Sequence, residues 1–190
     1  MRTVKYSFII TLFSFLMSNA QITKGNWLMG GNGNLSFTKS EGKNNNTAGL
    51  IINSIPDSES IGILLEPNIG YFIKDKFAAG LKIGFENYFS TQSSFQLNNT
   101  QFTIGPFLRY YILDVDKPFN IFLEPSYFRY SYKPLGNPSQ GFGFKFGHAY
   151  FLNSSVGIET SLNYQYKESD QLKTNTLFLA FGFQLYLEKK

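Results

Sequence analysis

Apolar and polar side chains alternate along this chain in short stretches with a period of two, from about residue 25 nearly to its end. Successive side chains of a β-strand point to opposite faces, so this period predicts strands with one apolar and one polar face. From Gly25 to Thr38 one face carries Trp27, Met29, Leu35 and Phe37, and the other Gly30, Asn32, Asn34, Ser36 and Thr38. Ile61 to Ile73 sets Ile61, Ile63, Leu65, Ile69, Tyr71 and Ile73 against Gly62, Glu66, Asn68 and Gly70. Phe77 to Phe89 places Leu81, Ile83 and Phe85 opposite Gly80, Lys82, Gly84 and Glu86. Gln101 to Tyr111 opposes Phe102, Ile104, Leu108 and Tyr110 to Thr103, Gly105 and Arg109. A fifth segment, from Phe119 to Tyr127, opposes Ile121 and Leu123 to Glu124 and Ser126. Phe107 and Phe122 are the weaker fits, since both fall on the polar face. Three further segments put Phe142, Phe144 and Phe146 opposite Gly143, Lys145 and Gly147, Ile158 and Leu162 opposite Glu159 and Ser161, and Leu177, Leu179, Phe181 and Phe183 opposite Thr176, Ala180, Gly182 and Gln184.

The connectors alternate in length. Lys39 to Ser60, Thr91 to Asn99 and Ser131 to Gln140 are long and polar, whereas Lys74-Asp75-Lys76, Asp114 to Pro118 and Asn153 to Ser155 are short. An up-and-down meander with both termini at the short-turn end satisfies this spacing, as in outer-membrane barrels.

Residue size decides which face is inside. Eight strands close around an interior only just wide enough for side chains, and the face crowded with Phe, Tyr, Leu and Ile does not fit there. The other face combines glycines with seven charged residues, Glu66, Lys82, Glu86, Arg109, Glu124, Lys145 and Glu159, which can pair among themselves. Lipid offers the backbone no hydrogen-bond partners, so a spanning sheet must close. The expected fold is all-β, an eight-stranded antiparallel up-and-down transmembrane β-barrel. Tyr71, Tyr110, Phe119, Tyr150 and Tyr186, near strand ends, are expected as interfacial girdles. Pro67, Pro106 and Pro125 fall inside strands, where each removes a ladder donor, and local bulges are expected there.

Composition agrees. The chain has 21 Phe and 12 Tyr with only 16% charged residues, and no cysteine, so disulfides and thiolate metal sites are excluded. Arg2 and Lys5, the apolar run of 12 residues from Tyr6 to Met17, and Ser18-Asn19-Ala20 read as a signal peptide over residues 1–20, with a single barrel domain over 21–190. The run is too short for a membrane-crossing helix, which takes about 20 residues. Without Arg2 and Lys5 the 17 basic residues become 15 against 13 acidic, unclustered, which argues against a nucleic-acid partner.

The Ser18-Asn19-Ala20-Gln21 junction, Gly70-Tyr71-Phe72 leading through Lys74-Asp75-Lys76 to Ala79-Gly80-Leu81, and Gly105-Pro106-Phe107-Leu108-Arg109-Tyr110-Tyr111 resemble the small outer-membrane β-barrel family of OmpA/OmpX-like, porin-family or opacity-like proteins. The resemblance covers the whole mature chain and implies a bacterial outer-membrane location with outer-membrane lipids as partners. Members often finish on an aromatic residue; this chain finishes on Leu187-Glu188-Lys189-Lys190.

No catalytic, cofactor-binding or metal-binding residue is assigned. His148 is the only histidine, which excludes a His-rich metal site. It could act as the base of a lipid hydrolase, but no serine stands two residues on, and it reads as an interfacial polar residue. The seven charges are expected to form a structural network rather than line a pore. Gly30-Gly31-Asn32-Gly33 lacks the dinucleotide fingerprint and reads as interior packing. Asn45-Asn46-Thr47 and Asn98-Asn99-Thr100 read as loop residues, and Leu50-Ile51-Ile52 as packing over the barrel mouth rather than a ligand site. The leading expectation is a non-enzymatic barrel serving envelope structure or meeting surface ligands through its long loops. A narrow channel for small or hydrophobic solutes, a lipid-modifying hydrolase and a soluble lipocalin-like carrier are the alternatives.

Overall fold

The computed structural model describes residues 22–39, 59–90, 99–133, 139–168 and 173–188. The leader expected over residues 1–20, most of the long loops, Leu50-Ile51-Ile52 and the first asparagine motif lie outside the described residues. Eight strands follow in order: β1 (Trp27–Lys39), β2 (Glu59–Lys74), β3 (Phe77–Ser90), β4 (Asn99–Tyr111), β5 (Phe119–Lys133), β6 (Ser139–Phe151), β7 (Val156–Glu168) and β8 (Lys173–Leu187). Each pairs antiparallel with its neighbour in sequence, and β8 returns to β1, closing an up-and-down barrel. The closure seam runs from Trp27↔Leu187 to Gly33↔Phe181, and just beyond it the Asn34 side-chain amide donates to Leu179 O at 2.7 Å.

The apolar face is outside. Phe181, Phe142 and Leu65 are 58%, 57% and 55% exposed, while Arg109 and Glu159 on the other face are 0% exposed. A soluble carrier would bury the first set and solvate the second, so that alternative fails on the orientation of every strand.

Glycine and phenylalanine explain how the interior fills. Phe122 on β5 stands opposite Gly147 on β6, and a methyl group added to that glycine would run into the Phe122 ring. Phe107 stands opposite Gly80 in the same way, with its Cε1 2.7 Å from where a Cβ would be. The two aromatics that broke the alternation are therefore lumen residues lying over glycines on the adjacent strand.

Three expectations are corrected. Tyr186 is not in an outer girdle: it points inward, fully buried, whereas Trp27, Tyr110, Phe119 and Tyr150 face out at the short-turn end. No bulge forms at Pro67, Pro106 or Pro125. The ladder skips pairs beside each proline, between Leu65↔Phe85 and Asn68↔Lys82 for Pro67 and around Phe107↔Ser126 for the other two, yet the register on either side is unchanged. Each proline faces outward and gives up one flank of its ladder while staying paired on the other, at Gly31↔Pro67, Leu81↔Pro106 and Pro125↔Phe144. The one register shift lies between Phe72 and Lys74, where the chain turns through Asp75 and Lys76, the latter at a φ of 66°. Finally, β5 and β7 run on to Lys133 and Glu168, past the segments expected from alternation.

The short-turn end of the lumen is apolar. Leu28, Phe72, Phe122, Phe151 and Tyr186 meet there and enclose Ile22, which is fully buried. Ile22 is held by its carbonyl, which accepts from Lys76 N at 2.8 Å, and the segment behind it by Gly25 N donating to Phe72 O at 2.9 Å. The chain before β1 thus corks the barrel.

Candidate functional site: the charged lumen

Above the cork the lumen is crossed by ion pairs. All seven charged residues singled out in the sequence are inward and buried. Parity places them: each shares its strand's inward phase with glycines and amides, and the closed sheet brings those phases onto one axis.

Glu124 on β5 is the hub. Its Oε2 accepts from Arg109 Nε on β4 at 2.6 Å and lies 2.5 Å from Arg109 Nη2. Its Oε1 accepts from Lys82 Nζ on β3 at 2.8 Å and lies 3.5 Å from Lys145 Nζ on β6. Three cations therefore converge on one carboxylate. Arg109 then spans the barrel, its Nη1 donating to Glu159 Oε1 on β7 at 2.6 Å, and Lys145 reaches Glu66 Oε2 on β2 at 3.6 Å. The arrangement ties six adjacent strands, β2 to β7, through side chains. Burying charge is costly unless it is paired and hydrogen-bonded, and these pairs supply that compensation.

The network rests on the cork. The Arg109 guanidinium lies 4.3 Å from the Phe122 ring centroid, and its Nη1 donates to Tyr111 Oη at 3.1 Å. The Tyr111 and Tyr186 hydroxyls are 2.9 Å apart, and Tyr186 Oη donates to Glu159 Oε1 at 3.4 Å. A ring of rigid aromatics with polar tips thus positions the guanidinium from below.

Glu86 stands apart from this hub, nearer the long loops. Its partner is a residue the sequence pattern did not single out: Lys167 on β7, whose Nζ donates to Glu86 Oε2 at 3.2 Å and to Gln101 Oε1 at 3.0 Å. With Lys167 the described lumen holds four cations and four carboxylates, and its formal charge is zero. Tyr111, Tyr186 and Lys167 were all readable by parity, two residues from Arg109, two from Gln184 and two from Gln165 on the same face.

Between Glu66, Lys82, Ser126, Lys145, Asn163 and Gln165 lies a cavity of about 10 Å³, room for about one water. His148 is elsewhere: it faces out on β6, exposed, opposite Ile121 and Thr160, with its ring stacked 5.7 Å from that of Phe119. Among the described residues no cluster of His, Cys, Asp and Glu suits a metal ion.

Neither a protein-family model nor a curated protein sequence matches the chain. Solved structures do match. Neisserial surface protein A (NspA) superposes with a TM-score of 0.52 at 16% identity, covering 84% of this chain and 94% of that one. The outer membrane protein OprG from Pseudomonas aeruginosa gives 0.53 at 12% identity, covering 93% and 100%. The likeness is one of fold: this chain has the architecture of small eight-stranded outer-membrane barrels.

Proposed function

We propose that the protein is an integral outer-membrane barrel with a sealed lumen, exported by removal of residues 1–20, that serves the envelope as a structural element and meets any partner through its long-loop end. One observation carries this reading: Arg109 bridges Glu124 and Glu159 across the lumen directly above the apolar cork, so both polar and apolar solutes meet packed side chains. The network is structural, since its charges are spent on one another. The solute-channel alternative requires the Arg109 bridge and the cork to part together. The hydrolase alternative requires His148 to act from the lipid-facing surface, beside Phe119.

Planar-bilayer recording of the purified mature protein tests the reading. No discrete conductance steps are expected; stable steps in simple salt would overturn the sealed lumen. For the enzyme alternative, cells carrying His148→Ala are expected to keep the lipid composition of cells carrying the unaltered protein, and accumulation of an unmodified lipid would reinstate the hydrolase.

A further inference from the structure

Above Gly33 and Phe181 the closure seam is open. Its pairs, Trp27↔Leu187 to Gly33↔Phe181, would continue as Asn34↔Ala180 to Lys39↔Asn175, and none of these forms. Both strands nevertheless run on, residues 34–39 paired with β2 and residues 175–180 with β7. Gly31 O and Phe183 O face across the seam, so odd-numbered residues carry its ladder. The bonds left unmade are therefore those of Leu35, Phe37 and Lys39 with Leu179, Leu177 and Asn175. Two contacts hold the edges apart. The Asn34 amide donates to Leu179 O, the acceptor that Leu35 N would use, while its own buried Oδ1 has no partner. Phe178 and Ala180 cluster with Leu64 of β2, the residue opposite Asn34, which ties β8 across to β2 rather than to β1.

Leu177 and Leu179 are exposed on the apolar face, next along β8 from Asn175, whose Oδ1 accepts from the Tyr164 hydroxyl. The split thus reaches into the lipid-facing belt, where an open sheet edge finds no hydrogen-bond partner. Only another extended backbone supplies donors and acceptors at strand spacing. Strand sense says whose. β1 and β8 are antiparallel, so a single strand inserted between them would be antiparallel to one edge and parallel to the other. A second copy of this chain supplies a strand of each sense. A two-fold axis normal to the membrane leaves both copies inserted alike and sets β1 of each against β8 of the other, antiparallel at both contacts.

We infer that the protein pairs with a second copy of itself through the split seam, Phe37 and Lys39 of each chain forming ladder pairs with Leu177 and Asn175 of the other. The inference rests on the reading of the chain as a membrane-spanning barrel. Below Gly33 the seam stays closed within each chain, so the Arg109 bridge and the cork are left as they are.

The chain has no cysteine, so introduced thiols report without background. Thr38 and Thr176 would oppose each other as a non-hydrogen-bonded pair, about 4.5 Å apart at Cα, within reach of a disulfide. Thr38→Cys and Thr176→Cys chains carrying different affinity tags, co-expressed and oxidised in the membrane, are expected to give a disulfide-linked dimer with both tags. The double variant Thr38→Cys/Thr176→Cys, expressed alone, is expected to give the same dimer. A disulfide within one chain would mean that the seam closes on itself and would overturn the inference, as would the absence of any disulfide. A second measurement needs no variant: the unaltered protein, excised from its membrane in lipid discs, is expected to have the mass of two copies. One copy, alone or with a different polypeptide, would overturn the dimer. Loss of a heat-dependent shift in electrophoretic mobility would instead count against the barrel itself, so the two failures are distinguishable.

Discussion

Phe122 occupies the space that Gly147 leaves open, and the Arg109 guanidinium lies over the same ring, so one glycine sets the height of the central cation. Gly147→Ala should destabilise the barrel by about 1–3 kcal/mol, the usual cost of overpacking. At Gly33 an added Cβ meets its nearest atoms at 3.6 Å, so Gly33→Ala should stay within about 0.5 kcal/mol of the unaltered protein. Denaturant titration of both variants in detergent checks the contrast. Glu124→Gln removes the shared counter-charge of Arg109, Lys82 and Lys145 and should cost about 3–5 kcal/mol, the penalty for uncompensated buried charge. Replacing Lys145, whose contacts are the long ones at 3.5 and 3.6 Å, should cost less in the same titration. The seven charges could be placed in the sequence because a charge on a glycine-rich face stands out. Tyr186 was misplaced because a tyrosine near a strand end reads the same in a girdle and in a cork until its parity with Gln184 is followed. Lys167 was missed because the apolar alternation that delimits β7 fades after Tyr164.

That fading is a property of the strands. Outside an apolar belt both faces of a strand meet water, so the hydropathy pattern stops while the hydrogen-bonded ladder continues; Gln140↔Glu168 and Thr100↔Lys133 are paired in such stretches. Ladder length was thus illegible where belt length was legible. The prolines show a second limit. A missing N–H was expected to displace a residue, but Pro106 and Pro125 surrender the same seam, β4–β5, and leave the register intact. The strands stay in contact there, with Gly105 pressed against the Phe128 backbone. Amides around residues 105–109 and 124–128 should exchange with solvent before those of the continuous β1–β2 ladder, as read by hydrogen exchange in detergent or nanodiscs. Equal protection in the two seams would mean that the skipped pairs cost the sheet nothing.

For the molecule as a whole, closure gives every strand two neighbours and the belt leaves no water-compatible flank. Folded protein should therefore migrate differently from boiled protein in detergent electrophoresis, and a single mobility with recovery in buffer alone would contradict the outward apolar face. Eight strands, their order, their antiparallel pairing and the orientation of their faces were all contained in the period of two and the alternating connectors. The cork was not, because Ile22 precedes the first strand, and Leu28 and Phe151, though inward by parity, are apolar side chains on the face read as polar. The convergence on Glu124 also bears on descent. A lineage that loses Lys145 or Lys82 keeps a carboxylate still held by the remaining cations, but one that loses Glu124 first strands three cations at once. Mutation can rewrite such an interior in one order only, peripheral cations before the hub, so Glu124 should be the slowest position in the barrel to change.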